Sequence, residues 1–354
     1  MKKLVPSLFV SLLGLLPLNL LGQNYTLQDL GTLPADESYA LTINNQNSIL
    51  GFIKQAGSTR DFIWKANEGL VFLPHHYQLP LMNNHNQVTG IFWHKTNNWI
   101  FNNTISKHFY IYHNNAFLQD LGAPTQWKMQ ELQEWQTTSI WDKKDLEIVA
   151  FTDHQQILIS NLDQNNTTKL VLWENGAFND IDPSVIDIAY AMNNQGSILA
   201  RKWVKHGSIN VPMLVLYNPK EGICIEIMKD INLLRRKMND LGQVIVFQVK
   251  ESNGRGFLWD PNKGLLELED FAPVAFNNCN QIVGFQMAAL QNKKTIPLMW
   301  TSGEFVSLPQ LGLNDAESLW SEVISLHGIN DDGYIIGQGV CDGKKHAFVL
   351  VPSH

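Results

Sequence analysis

Short runs of β-branched and aromatic residues follow one another down the whole chain, separated by turns of Asn, Asp and Gly. The alternation within the runs has period two, the pattern of strands that bury one side on a sheet. No segment carries the spacing of a long amphipathic helix, which excludes helical solenoids. One phrase recurs: an apolar residue, Asn-Asn or Asn-Asp, a polar pair, then a β-branched run. It reads INNQNSILGF from Ile43, MNNHNQVTGIF from Met82, MNNQGSILA from Met192, MNDLGQVIVF from Met238, FNNCNQIVGF from Phe276 and INDDGYIIGQG from Ile329, with a worn copy, FTDHQQILIS, from Phe151.

A second phrase follows each copy: an apolar run that mostly ends in an aromatic, a turn, then another apolar strand. RDFIWKANEGLVFLP (to Pro74) and KLVLWENGAFNDIDP (to Pro183) are examples. With the short strand that leads into each Asn, every repeat supplies four strands, here a to d. Four strands recurring every 40 to 50 residues or so mark a β-propeller blade. The seventh repeat stops at His354 before its strand d, and Tyr25-Thr26-Leu27-Gln28-Asp29-Leu30-Gly31 matches the AFLQDLG that ends at Gly122. The expected fold is therefore all-β: a seven-bladed β-propeller of four-stranded antiparallel blades, its ring closed by the N-terminal strand, which hides edges that would invite aggregation.

These phrases resemble the HAF repeat family of probable extracellular repeat proteins, named for the tripeptide that stands here as His346-Ala347-Phe348. The INDDGYIIG and DLG phrases are equally typical. The resemblance implies an exported repeat protein and brings no catalytic residues with it.

The start of the chain agrees with export. Lys2 and Lys3 precede an apolar stretch from Leu4 to Leu21, and Gly22 is followed at once by polar sequence. This reads as a cleaved signal peptide over residues 1–22, leaving residues 23–354 as one repeat domain in a periplasm or outside the cell, with no membrane insertion after cleavage. The 354 residues are 17% charged with a formal net charge of −7. That balance excludes disorder and argues against nucleic acid as a partner. A monomer is expected. Cys224, Cys279 and Cys341 are too few for a disulfide framework. Cys279 falls in an a–b turn and Cys341 at a b–c connection, on opposite faces of a blade, so three free thiols are expected.

The a–b turns (Asn44-Asn45, Asn193-Asn194, Asn330-Asp331) and c–d turns (Asn175-Gly176, Ser302-Gly303) are short and alike, with residues that tolerate positive φ. Asp331-Asp332-Gly333 suggests calcium, but other copies carry amides where carboxylates are needed. The b–c and d–a connections vary, with insertions at 94–107 and 122–145, so that face is the expected working surface. Trp99, Trp127, Trp135 and Trp141 lie in or beside those insertions and Trp320 in another long d–a loop. They are candidates for stacking on a glycan, peptide or protein ligand. Trp64, Trp173, Trp259 and Trp300, with Tyr112 and Tyr217, recur at one strand-c position and read as packing residues. Around the channel mouth stand Glu37, His75, His76, Asp187, Arg235, Arg236 and Glu322. No metal-ligand spacing, cofactor loop or nucleophile elbow accompanies them, so no metal, cofactor or catalytic residue is expected. The function expected is a non-catalytic exported scaffold that binds a glycan, peptide or protein. The alternative is a polysaccharide hydrolase or lyase using Glu37, His75, Asp187 or Glu322.

Overall fold

The computed structural model describes residues 25–30, 37–73, 78–96, 104–113, 117–123, 146–162, 168–250, 253–287, 296–308 and 319–353. The strands are β1 (Tyr25–Asp29), β2 (Glu37–Ile43), β3 (Ile49–Gln55), β4 (Ser58–Lys65), β5 (Gly69–Phe72), β6 (Gln78–Met82), β7 (Val88–Thr96), β8 (Thr104–His113), β9 (Phe117–Gly122), β10 (Leu146–Phe151), β11 (Ile157–Leu162), β12 (Thr168–Glu174), β13 (Ala177–Ile181) and β14 (Ile188–Met192). They continue as β15 (Ile198–His206), β16 (Ile209–Asn218), β17 (Ile223–Lys229), β18 (Leu233–Met238), β19 (Val244–Lys250), β20 (Asn253–Asp260), β21 (Gly264–Leu268), β22 (Phe271–Phe276), β23 (Gln281–Gln286), β24 (Pro297–Thr301), β25 (Glu304–Ser307), β26 (Trp320–Ile329), β27 (Ile335–Cys341) and β28 (Lys344–Pro352).

Five groups of four consecutive strands form separate antiparallel sheets: β6–β9, β10–β13, β14–β17, β18–β21 and β22–β25. The other eight strands form one sheet ordered β26-β27-β28-β2-β3-β4-β5, with β1 also paired to β28. The β1–β28 pairing is antiparallel and runs from Tyr25 opposite Pro352 to Asp29 opposite Phe348. The two strands that the repeat arithmetic joined are thus hydrogen-bonded. A single parallel bridge, Glu37 to Lys345, links β2 to β28.

Burial follows strand position. The second strands β23 and β27 are buried along most of their length, whereas the fourth strands β13, β17, β21 and β25 are largely exposed. Trp64, Trp173 and Trp259 are buried beside the second strand of their own sheets, as packing residues should be. Small residues make room for large ones within a sheet. Gly337 faces Phe348 across β27–β28, and a Cβ there would meet Ser325 O at 2.3 Å and Phe348 Cζ at 2.6 Å.

The turns after the first strand do more than reverse the chain. Positive φ falls three residues beyond the first Asn, at Asn47, Asn86, Asn280, Gly196, Gly242 and Gly333, with Gln155 in the worn copy. The expectation that the Asn-Asn pair itself supplies positive φ is corrected accordingly, while Asn175-Gly176 and Ser302-Gly303 do have it. The first Asn is instead buried and its Oδ1 caps its own turn, as when Asn277 accepts from Cys279 N and Gln281 N. Its Nδ2 reaches the next sheet: Asn44 donates to Asn83 O, Asn83 to Thr152 O, Asn193 to Asn239 O, Asn239 to Asn277 O, Asn277 to Asn330 O and Asn330 to Asn44 O.

The second residue of the turn builds a parallel chain. The N–H of Asn45 donates to a side-chain oxygen of Asn84 (2.8 Å), Asn84 to Asp153 (2.7 Å), Asp153 to Asn194 (2.8 Å) and Asn194 to Asp240 (2.9 Å). Asp240 donates to Asn278 (2.9 Å), Asn278 to Asp331 (2.8 Å) and Asp331 back to Asn45 (3.0 Å). Thr152 has no amide to donate, and there Asp153 and Asn194 alone make the link. An Asn or Asp is required because each side chain must accept a backbone N–H from one neighbouring turn.

The HAF and DLG phrases meet across the third and fourth strands. His346 Nδ1 lies 2.9 Å from Asp29 Oδ2, and His108 Nδ1 lies 2.8 Å from Asp120 Oδ2 at the same register. In β20–β21 the pair is Arg255 and Glu267, 3.8 Å apart. In β4–β5 Arg60 stacks on Phe72, 3.9 Å from the ring centroid.

Candidate functional site

Every pairing of a first with a second strand carries a register shift. In several sheets the extra residue stands three places before the turn Asn or Thr: Leu41, Val149, Tyr190, Val274 and His327. A bulge re-aims its side chain. His327 Nδ1 meets Ala40 O on β2 at 2.5 Å, and Tyr190 OH donates to Asp230 Oδ2 at 2.6 Å.

Tyr190 belongs to a cluster of charged and polar side chains where sheets β14–β17 and β18–β21 adjoin. Asp230, its side chain 1% exposed, also accepts from Arg236 Nε at 2.8 Å. The Arg236 guanidinium lies 4.3 Å from the Tyr190 ring centroid. Burial and the Asp230 charge push the Tyr190 phenol far above its ordinary range, and Arg236 and Arg201 act against that rise. Arg201 Nε reaches both oxygens of Asp187 at 3.1 Å, and its proton is held more firmly for that reason. Asp187 Oδ2 accepts once more, from Trp203 Nε1 at 3.0 Å. Trp203 is 50% exposed and Arg201 lies 5.4 Å from its ring. An indole pinned through its N–H with a face open to water is a ready stacking platform.

The neighbouring residues on β18 set the charge. Arg235 and Lys237 are exposed, yet protein crowds both enough that desolvation lowers their pKa values, and Arg235 lowers Lys237 further. Surface exposure limits the size of that shift. Lys237 Nζ reaches His327 O at 3.5 Å. Burial and the Lys237 charge lower the His327 pKa, partly offset by its bond to Ala40 O. Arg235, Arg236 and Lys237 are three consecutive cations on β18 in a protein of net charge −7.

Of the candidates read from sequence, Asp187 and Arg236 fall in this cluster and Arg235 stands beside it. Glu37 sits elsewhere, on β2, with Tyr39 OH at 2.7 Å and Lys54 and Lys345 both at 3.6 Å. The Tyr39 bond, then these lysines, lower its pKa, with desolvation opposing. Glu322 is exposed on β26. Glu37 and Asp187 are each held by cations of their own neighbourhood, so the convergence of acids that the hydrolase or lyase alternative needs is not seen among the described residues. His75, His76, Trp99, Trp127, Trp135 and Trp141 lie outside the described residues, as do residues 1–24. Among the described residues no helix is long and apolar enough to cross a membrane.

One expectation is corrected. Trp320 is not a loop residue: it opens β26, is 8% exposed, and packs edge-on to Phe348 with centroids 5.8 Å apart. At the two ends of the 94–107 insertion, β7 and β8 stay paired out to Thr96 and Thr104. Trp203, which no sequence phrase marked, is an exposed indole among the described residues. The three cysteines are free, as expected.

No protein-family model matches the chain. No curated protein matches it in sequence. Among solved structures, the oligogalacturonate lyase in complex with manganese aligns with TM-score 0.55 and 9% identity over 94% of this chain and 97% of that one. The β-propeller domain of the Trilobed protease from Pyrococcus furiosus aligns with TM-score 0.55 and 8% identity over 90% and 96%. The Pyrococcus horikoshii acylaminoacyl peptidase gives TM-score 0.50 and 11% identity over 86% of this chain, which spans half the length of that protein. The expectation that the chain is not an enzyme is corrected by these likenesses: a lyase and a peptidase carry the same kind of sheet array, so the architecture gives no ground for denying catalysis. At such identities only the fold is shared, and that fold is the β-propeller.

Proposed function

We propose that this chain is an exported β-propeller of seven four-stranded blades that binds an acidic glycan where sheets β14–β17 and β18–β21 adjoin. The eight-stranded sheet then counts as two blades, β2–β5 and β26–β28 with β1, touching through one parallel bridge. The turn-to-turn hydrogen bonds that return from Asp331 to Asn45 support a closed ring. Export and membership of the HAF repeat family rest on the leader-like start and on the recurring phrases, including the His–Asp pairs.

One observation carries the binding proposal: Trp203, half exposed and fixed by Asp187. A flat apolar face beside bidentate arginine suits a sugar ring with its hydroxyls. Arg235 and Lys237, exposed cations on β18 of the adjoining sheet, are the ground for proposing an anionic ligand. The test is calorimetric titration with neutral and uronate-containing oligosaccharides, for the native protein and Trp203→Ala. Binding of the acidic set alone is expected, lost in the variant, with stability changed by less than about 1 kcal/mol. A native protein that binds none of them, or a variant that binds as well, refutes the proposal. The same mixtures, examined for shortened products, show whether a bound chain is also cut.

A further inference from the structure

We infer that Asp29, Cys341 and His346 form a binding site for a zinc-class divalent metal ion, one that also fastens the first strand to the last. One ligand atom from each lies within 4.8 Å of the others. Thiolate, imidazole and carboxylate together are the ligand set of tetrahedral zinc and cobalt. Asp29 ends β1, Cys341 ends β27 and His346 lies in β28, so three strands bring them together.

The surroundings fit a metal. Cys341 is 5% exposed, while the His346 and Asp29 side chains are 15% and 21% exposed, so the cluster is shielded but reachable. Trp320 lies opposite Cys341 in register and edge-on to His346 at 6.3 Å, forming an apolar wall of the kind that raises the strength of a polar site. A thiol that coordinates a divalent cation is deprotonated. Tetrahedral zinc, with bonds near 2.0–2.3 Å, spaces its ligand atoms roughly 3.3–3.8 Å apart. His346 Nδ1 and Asp29 Oδ2, now 2.9 Å apart, would open by under about an ångström. Three protein ligands leave a fourth position for water.

The thiolate separates this cluster from its counterparts. The Arg255–Glu267 pair holds the same register but an arginine cannot ligate, and there the interaction is a plain ion pair. In β6–β9 the position that corresponds to Cys341 falls on His94, two residues past the partner of His108.

Cobalt titration of the reduced full-length protein tests the site. One equivalent is expected to give a thiolate-to-cobalt charge-transfer band with tetrahedral d–d absorption, displaced by zinc. Cys341→Ser is expected to abolish the band and Asp29→Asn to weaken zinc binding. A Cys224→Ser, Cys279→Ser double variant, which leaves the cluster intact, is expected to keep the band. Absence of the band in the native protein or in the double variant overturns the inference, and so does its survival in Cys341→Ser.

Discussion

Replacing Asn277 by Ala removes a side chain that makes four hydrogen bonds in a buried turn. Oδ1 accepts from Cys279 N at 3.0 Å and Gln281 N at 2.9 Å, and Nδ2 donates to Asn330 O at 2.8 Å and Gln281 Oε1 at 2.7 Å. Net contributions of ~0.5–1.5 kcal/mol per bond give ~2–6 kcal/mol in all. Asn277 is only 3% exposed, so water cannot restore the lost partners, and the expected cost lies near 4 kcal/mol. That is a large fraction of the ~5–15 kcal/mol that keeps a typical domain folded. Urea unfolding followed by tryptophan fluorescence measures it. Asn277→Gly separates two causes. If the residue served only to relax a turn, Gly would equal the native protein; because positive φ belongs to Asn280 instead, Gly is expected to fall with Ala. Asn175→Gly, at a positive-φ position of an exposed turn, is expected to stay within about 0.5 kcal/mol. An Asn277→Ala loss under ~1 kcal/mol, or native stability for Asn277→Gly, refutes the reasoning.

Two further outcomes follow from packing and from ionisation. Gly337→Ala places a methyl against Ser325 O and the Phe348 ring and is expected to lower stability by about 1–3 kcal/mol in the same unfolding assay. Tyr25 on β1 has its phenol pushed up to about 12 by burial. Folded and unfolded chains are both neutral there below pH 10 or so; between about 10 and 12 the unfolded chain ionises first, so stability falls as pH rises through that window. Thermal melts from pH 9 to 11.5 should show the fall, and Tyr25→Phe should reduce it; an unchanged slope in the variant would remove Tyr25 as its source.

How much of this was legible in sequence differs by feature. Period-two alternation and recurring turn phrases located the strands and grouped them in fours. The match between the residues after Asn24 and those before Gly122 placed β1 beside β28. These are local signals, written in side-chain period and turn chemistry. The buried Trp position could be read too, because it recurs. The turn Asn residues were legible as turn formers but not as bridges, since the carbonyl that Asn330 meets belongs to residue 44.

What sequence alone determined is the strand inventory, its fourfold grouping and the pairing of the chain's two ends, because backbone alternation and hairpin turns act over a few residues. Tertiary structure decided which polar residues meet. Asp187, Tyr190, Arg201, Trp203, Asp230 and Arg236 come from neighbouring sheets. No local pattern encodes such encounters: they depend on how one twisted sheet packs against the next, and on bulges that turn single side chains out of register.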